Sequence, residues 1–325
     1  MSVYTPINAA ELTTFLTQYS VGELTHYVGI SAGIENTNYF VDTTTGRYVL
    51  TIFEQHNLAE MHYFIDLMSW LAQSGVPTAS PIKQNSGHIL SLLKDKPASL
   101  VSCLKGATLE NKQSTQAQCA AIGSALASMH LAGQYFTQSR APDRGVEWRQ
   151  KMGMQLLQHP DLSPSDQQLL QSELNNQAEC DFSALPQGVI HADLFRDNAL
   201  FEGDKLSGII DLYYACNDSL LFDMAVVVND WCYHAEGQID QQKLSLFLNA
   251  YHTIRPLEAI ERQYWFVTLK AAALRFWLSR LHDQLYPRDG ELTQLKDPKE
   301  FKHKLQMIIA NQAQLENCEL NHGCL

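Results

Sequence analysis

Residues 189–198 read Val-Ile-His-Ala-Asp-Leu-Phe-Arg-Asp-Asn. A strand-like apolar run leads into His191, Asp193 follows two residues later, and Asn198 lies five residues beyond that aspartate. A second apolar run ends in Asp211, thirteen residues after Asn198. This set of side chains is typical of phosphoryl transfer, in which one carboxylate orients the attacking hydroxyl and accepts its proton. An amide oxygen and a second carboxylate can hold Mg²⁺, which prefers oxygen ligands.

The predicted secondary structure differs before and after residue 110. Helical patterns over 8–19 and 58–71 accompany strand-like stretches at 24–30, 38–43, 47–53, 89–93 and 98–103. From Thr115 onward helical spacing of apolar residues dominates, and one pattern runs from 257 to 285. The sequence therefore predicts an α+β fold with two parts, a sheet-containing part over 1–103 and a larger, mainly helical part over 104–325.

Composition narrows the class of protein. The 325 residues are 45% hydrophobic and 18% charged and carry a formal net charge of −12. Such an acidic balance disfavours a generic nucleic-acid or anionic-membrane binder. No apolar run approaches the roughly 20 residues that a membrane-spanning helix needs. Seven scattered cysteines form no paired framework, and the first ten residues lack a secretory pattern, so we expect a protein of the reducing cytoplasm.

The loop and four longer strings resemble a known family. His-x-Asp-x-x-x-x-Asn, followed by an apolar strand that ends in Asp, resembles the catalytic loop and metal site of the aminoglycoside phosphotransferase and choline kinase superfamily, which is related to protein kinases. Within it, four strings are similar to the kinase-like type of bacterial homoserine kinase: residues 48–54 (Tyr-Val-Leu-Thr-Ile-Phe-Glu), 211–218 (Asp-Leu-Tyr-Tyr-Ala-Cys-Asn-Asp), 228–232 (Val-Asn-Asp-Trp-Cys) and 274–280 (Leu-Arg-Phe-Trp-Leu-Ser-Arg).

This resemblance implies a two-lobed protein-kinase-like fold, with nucleotide bound by 1–103 and catalysis and acceptor binding in 104–325. It implies transfer of the γ-phosphoryl group of ATP to the hydroxyl of L-homoserine, with Mg²⁺, in threonine biosynthesis. By the same resemblance Asp193 is the catalytic base, Asn198 and Asp211 are the Mg²⁺ ligands, and His191 braces the loop. Asp223 is similar to an aspartate that anchors the following helix.

The nucleotide site is expected around the turn at 29–38, which takes the place of the nucleotide-covering loop, although the same turn also fits an ordinary hairpin. Thr51 stands where relatives usually carry a Lys or Arg for the phosphates, so the cationic partner of the phosphates has no assignment. The residues expected to contact nucleotide are Ser31, Gly33, Asn36, Asn38, Thr51, Ser102 and Leu104.

A zwitterionic acceptor such as homoserine needs a cation for its carboxylate and an acidic group for its ammonium, and a guanidinium suits the carboxylate. Position in the sequence and the resemblance suggest which residues bind this acceptor. They are Arg196, Tyr213, Asn217, Asp218, Asp230 and Arg275, with Tyr214 and Arg280 as further candidates.

Two other functions stay open on sequence grounds. One is a kinase for a different small hydroxylated amine, such as choline, ethanolamine or an aminoglycoside, since the loop chemistry is shared. The other is a non-catalytic nucleotide-binding module, which the uncharged Thr51 favours and the retention of Asp193, Asn198 and Asp211 opposes. The sequence predicts a small-molecule partner, no nucleic acid and no membrane, and does not indicate the oligomeric state.

Overall fold

A computed structural model describes residues 3–30, 36–110, 112–234, 237–286 and 296–317. The chain forms two compact units, one from residues 1–106 with 207–213, and the other from 107–206 with 214–325. The assignment of nucleotide binding to 1–103 and of catalysis to 104–325 stays a prediction.

The first unit is built on a five-stranded antiparallel sheet with the strand order β1-β2-β3-β5-β4. Its elements are α1 (Ala9–Leu16), β1 (Leu24–Gly29), β2 (Thr37–Thr43), β3 (Gly46–Ile52), α2 (Leu58–Gln73), β4 (Ser91–Leu93) and β5 (Lys96–Ser102). Asn8 and Glu11 form a capping box that starts α1, and Asn57 and Glu60 form another at the start of α2. Each satisfies backbone N–H groups that the first helical turn leaves unpaired.

Alternation of side chains along the strands decides which face of this sheet is buried. Burial alternates residue by residue along β2, as the period of two in a strand requires. Val41 and Leu50 face the same core as Leu12 and Phe15 of α1. The helix therefore packs against the sheet through the apolar stripe that its sequence shows.

The second unit is mainly helical. Its elements are β6 (Ala107–Thr108), α3 (Gln116–Gly133), α4 (Val146–Leu157), α5 (Pro164–Ala178), β7 (Gln187–Ile190), β8 (Ala199–Glu202), β9 (Lys205–Ile209), β10 (Cys216–Ser219), α6 (Leu220–Trp231), α7 (Gln241–Ile254), α8 (Ala259–Leu285), α9 (Pro298–Ala310) and α10 (Gln312–Asn317). Strand β6 pairs antiparallel with β8, β7 pairs antiparallel with β10, and β9 runs from this unit into the first. The predicted α+β fold class is confirmed.

The core of the second unit centres on α6 and α8. Every residue of α6 is buried, and α8 buries Trp265 and Trp277. None of the helices in the described ranges is both long enough and apolar enough to cross a membrane. Helices α3 and α7 lie close together at Gly123, where an added β-carbon would be 2.5 Å from the carbonyl oxygen of Phe247.

The close packing of α3 against α7 at Gly123 predicts how a substitution there changes stability. We expect Gly123→Ala to lower the free energy of unfolding by about 1–3 kcal/mol, because the added methyl group meets a backbone atom that cannot rotate away. Urea unfolding followed by circular dichroism measures it. Ser124→Ala, one position along the same helix, is the matched control and should be near neutral. Equal midpoints for Gly123→Ala and the wild type would show that the two helices do not pack this closely.

Candidate active site

The loop after β7 is held at its start by a two-stranded ladder. Strand β7 pairs with β10 in the register Ile190 opposite Cys216, so the chain leaves the ladder at His191. The His191 side chain is fully buried. Ala192 then adopts a left-handed backbone with φ +64°, which costs a residue other than glycine about 1–2 kcal/mol. The surrounding structure must therefore compensate this turn.

Asp223, in the first turn of α6, supplies the compensation. Its Oδ2 accepts a hydrogen bond from the His191 backbone N–H at 2.7 Å, and its Oδ1 accepts one from the Ala192 N–H at 2.9 Å. Nε2 of His130 lies 3.1 Å from Oδ2, and Nδ1 of His130 lies 2.6 Å from the Tyr251 hydroxyl. The carboxylate thus fixes both N–H groups of the strained turn.

The charge on Asp223 is stabilised despite complete burial. Burial alone would raise the pKa of this carboxyl, but its hydrogen bond to His130 and the nearby histidines hold the pKa below the ordinary value of 3.8. We conclude that Asp223 is an ionised brace for the loop that precedes α6. Its anchoring of the following helix, which the resemblance implied, stays a prediction.

Asp193 is presented by this turn with part of its side chain accessible. The Asp193 side chain is 20% exposed, and its backbone N–H lies 3.3 Å from Nδ1 of His191. Nδ2 of Asn198 donates to the Asp193 carbonyl oxygen at 2.8 Å and lies 3.3 Å from its Oδ2. Burial raises the pKa of Asp193, and the positive charge of Arg275, whose Nη1 lies 3.9 Å from Oδ1, partly opposes that rise.

Helix α6 holds the second half of the loop as well. Asp230 accepts hydrogen bonds from the Arg196 backbone N–H at 2.8 Å and from its Nε and Nη2 at 3.0 and 3.1 Å. Nε1 of Trp231 donates to the Leu194 carbonyl oxygen at 3.0 Å. Because Arg196 and Asp230 bind each other, their geometry favours a role in shaping the loop over the predicted role in binding substrate.

The other predicted acceptor residues separate into two groups. Asp218 and Arg275 line one cavity of the second unit, together with Tyr214. Arg144 lines the same cavity and was not among the residues predicted from the sequence. Asn217 instead makes two hydrogen bonds to the backbone of residue 140. Its backbone N–H donates to the carbonyl oxygen of that residue, and its Oδ1 accepts from the N–H of the same residue. Arg144 lies in the connection before α4, where nothing in its sequence neighbourhood marks it as functional.

Tyr213 and Asp211 belong to the first unit. The Tyr213 ring contacts Phe53 and Phe64 at centroid distances of 5.1 and 6.0 Å, so its body is part of an aromatic cluster. Asp211, two residues after the end of β9, has a left-handed backbone with φ +63°. A non-glycine residue in this conformation is uncommon and is enriched at functional sites.

The predicted nucleotide residues in the described part of the chain lie in the first unit. Thr51 is buried and donates to Oδ1 of Asn38 at 2.7 Å, and Oδ1 of Asn36 lies 3.4 Å from the backbone nitrogen of residue 54. The Ser102 hydroxyl oxygen accepts from the backbone of residue 80 at 2.8 Å, and the Leu104 side chain covers Gly208. Ser31 and Gly33 lie outside the described residues.

The side chains of the described residues show whether the protein can supply ligands for a divalent metal ion. Within the described ranges, no three His, Cys, Asp or Glu side chains are grouped to hold a metal ion. Mg²⁺ does not require such a group, because it keeps several waters and needs one or two oxygen ligands from the protein. Both hydrogen bonds of the Asn198 side chain use Nδ2, which leaves Oδ1 as an acceptor. The chemistry of Asn198 and Asp211 therefore fits Mg²⁺.

The sheet of the first unit, the helical second unit and the braced His-x-Asp loop define a kinase-like phosphotransferase. The model of the "Phosphotransferase enzyme family" matches residues 26–257. The chain belongs to this phosphotransferase family and is an enzyme that phosphorylates a small molecule.

Full-length relatives support the same class. The homoserine kinase of Methylobacillus flagellatus is 47% identical over 97% of this chain and 98% of its own length. The homoserine kinase of Neisseria meningitidis is 41% identical over 94% and 99%. Among solved structures, a spectinomycin phosphotransferase in complex with ADP and spectinomycin has a TM-score of 0.69, 13% identity and coverage of 95% and 99%. An amicoumacin kinase in complex with AMP-PNP has a TM-score of 0.68, 14% identity and coverage of 95% and 94%.

The Asp223 brace predicts a pH-dependent contribution to stability. We expect Asp223→Asn to lower the unfolding free energy at neutral pH by at least about 3 kcal/mol, since a buried, paired charge is lost. The folded-state pKa of Asp223 lies below 3.8, so this contribution is complete above that pH and is lost as the pH falls through the folded-state value. The wild type and the variant should therefore converge in stability on acidification.

Urea unfolding at a series of pH values, from neutral to the lowest pH at which the wild type still folds and well below 3.8, tests this expectation. Asp161→Asn is the matched control because the Asp161 side chain is 79% exposed, and it should leave stability near that of the wild type. A stability difference for Asp223→Asn that stays constant or widens on acidification would show that the charge of Asp223 is not what stabilises the turn.

Proposed function

We propose that this protein is a homoserine kinase, which transfers the γ-phosphoryl group of ATP to the side-chain hydroxyl of L-homoserine and gives O-phospho-L-homoserine for threonine biosynthesis. The observation that carries this is the identity of 40–47% with homoserine kinases over nearly the whole chain, together with a braced loop that retains Asp193 and Asn198. The use of ATP is supported by AMP-PNP and ADP in the complexes of two structural neighbours.

Asp193 is the group that orients the acceptor hydroxyl and takes its proton. Its carboxylate is partly exposed, while Asn198 and the strained turn at Ala192 limit its freedom. A carboxylate held in this way supplies proximity and orientation, which account for much of the rate of a phosphoryl transfer. His191 serves the loop rather than the reaction, since it is fully buried.

Asn198 and Asp211 are the residues that would hold Mg²⁺. When bound, Mg²⁺ offsets negative charge on the nucleotide phosphates. Asn198 contributes through Oδ1, because its Nδ2 is engaged by the Asp193 carbonyl oxygen. The remaining nucleotide contacts proposed are Ser31, Gly33, Asn36, Asn38, Thr51, Ser102 and Leu104. We further propose that the enzyme acts in the cytoplasm without a nucleic-acid or membrane partner.

A panel of acceptors tests the substrate assignment. Production of ADP by the purified protein should depend on L-homoserine and should be far slower with choline, ethanolamine or kanamycin. The expected preference follows from Arg275 beside the loop, since a cation there favours an acceptor that carries a carboxylate. Turnover of choline or kanamycin in preference to homoserine would move the assignment to another small hydroxylated amine. Binding of Mg²⁺–ATP without turnover of any acceptor would indicate a binding module.

Replacement of the base gives the sharpest test of mechanism. We expect Asp193→Asn to lower kcat by about 10²–10⁴-fold, the contribution typical of a positioned general base, while the dissociation constant for ATP stays within about threefold, because no role in ATP binding is assigned to this side chain. Initial rates and isothermal titration calorimetry provide the two measurements. Asp161→Asn serves again as the exposed control. A kcat near that of the wild type would remove Asp193 from its assigned role.

A further inference from the structure

We propose that the cavity lined by Arg144, Ala192, Tyr214, Asp218 and Arg275 binds the α-amino acid end of the acceptor, with the carboxylate between Arg144 and Arg275 and the ammonium at Asp218. All of these residues belong to the second unit. The inference rests on the proposed function and deepens it, because it says how a homoserine kinase distinguishes an amino acid from other alcohols.

Arg275 is the first observation that points to an anionic ligand. The residue is only 4% exposed. Its closest acidic neighbour in the described ranges is Asp193, with 3.9 Å between Nη1 and Oδ1, which is beyond hydrogen-bond distance. No guanidinium N–H of Arg275 makes a hydrogen bond within those ranges. A buried cation without hydrogen bonds is costly, and a carboxylate in the adjoining cavity would satisfy it with paired hydrogen bonds.

Arg144 places a second positive charge at the same cavity. Its guanidinium carbon lies 5.2 Å from the centroid of the Tyr214 ring, and that of Arg275 lies 5.7 Å from the same centroid. Burial, followed by the positive charge of Arg144, lowers the pKa of Arg275 to about 10. Two guanidinium groups that share one aromatic ring repel each other. An anion bound between them would turn this repulsion into attraction.

The Arg144 side chain is also fixed in position by its neighbours. It lies 5.6 Å from the Trp148 ring and donates from Nη1 to the Ser279 hydroxyl at 3.2 Å. Contacts on an aromatic ring and one fixed hydrogen bond limit the rotation of the side chain, so less entropy is lost when a ligand binds. Among the described residues the Arg144 guanidinium has no hydrogen-bond partner besides Ser279, so its remaining N–H groups are available to a carboxylate.

Asp218 provides the opposite charge at the cavity. Burial raises its pKa, partly opposed by the Ser219 backbone N–H, which donates to Oδ1 at 2.7 Å. Within the described ranges no cation lies within ion-pair distance of this carboxylate. Asp143 also lines the cavity, but Nη2 of Arg140 binds it at 2.5 Å. Asp218 is therefore the carboxylate with capacity for an ammonium group.

The arrangement also sets the direction of the acceptor. Ala192, which precedes Asp193, forms part of the cavity wall, and Arg275, which also lines the cavity, has its Nη1 3.9 Å from Oδ1 of Asp193. An amino acid held by its charged end at this cavity can extend a short side-chain hydroxyl toward Asp193. Choline lacks the carboxylate, and a polycationic aminoglycoside would meet two guanidinium groups.

The test uses three alcohols: L-homoserine, 4-hydroxybutanoate, which lacks the ammonium, and 3-aminopropan-1-ol, which lacks the carboxylate. We expect Arg144→Gln to lower kcat/KM at least about 30-fold for the two alcohols with a carboxylate, mainly through KM, and to leave 3-aminopropan-1-ol unchanged. Asp218→Asn should give the complementary pattern, with a loss for homoserine and 3-aminopropan-1-ol and none for 4-hydroxybutanoate.

Lys151→Ala is the matched control for charge, because Lys151 is an exposed cation of α4, and it should behave as the wild type with all three alcohols. Arg144→Lys, which keeps the charge but loses the planar fork, should fall between the wild type and Arg144→Gln. Thermal melting of each variant separates a loss of fold from a loss of binding, since misfolding lowers the rate for every alcohol equally.

The outcomes separate the two proposals. If the wild type turns over homoserine and Arg144→Gln lowers kcat/KM to the same degree for all three alcohols, or not at all, the assignment of the cavity is wrong and the homoserine kinase function stands. If the wild type shows no homoserine-dependent production of ADP, the proposed function itself fails.

Discussion

The carboxylate of Asp223 is the interaction on which the candidate active site depends. It accepts hydrogen bonds from two successive backbone N–H groups, at His191 and Ala192, and a third partner, His130, holds its charge. Without these bonds the left-handed conformation of Ala192 has no compensation. Because Asp193 follows this turn directly, the direction of the carboxylate proposed as the base is set by a residue thirty positions further along the chain.

Helix α6 links this brace to the rest of the loop. Asp223 and Asp230 are seven residues apart and therefore lie on the same side of the helix, two turns from each other. Asp223 fixes the start of the loop and Asp230 fixes its middle through Arg196. Since every residue of α6 is buried, the helix cannot shift without disturbing the core. The loop is thus preorganised, which is what a reaction that relies on position and charge requires.

Ionic groups in the second unit divide into two kinds. Arg196 and Asp230 bind each other, so they shape the protein. Arg144, Arg275 and Asp218 line one cavity. In the part of the chain that the structure describes, the charges of Arg275 and Asp218 have no partner within hydrogen-bond distance other than the Ser219 backbone N–H. The sequence suggested Arg196 and Arg275 alike for the acceptor, because both lie in or near strings that resemble the family. Only their partners in space distinguish the two residues.

The sequence by itself determined the fold class, the capping box at Asn8, the helical stripe over 58–71 and the family, since these depend on local periodicity and on contiguous strings. It also indicated Asp193 and Asn198, whose spacing of five residues lets one amide close the loop. Only the tertiary structure decided that Arg196 binds Asp230 and that Arg144 lies at the same cavity as Arg275. Those outcomes depend on contacts between residues 34 or more positions apart, which local spacing does not encode.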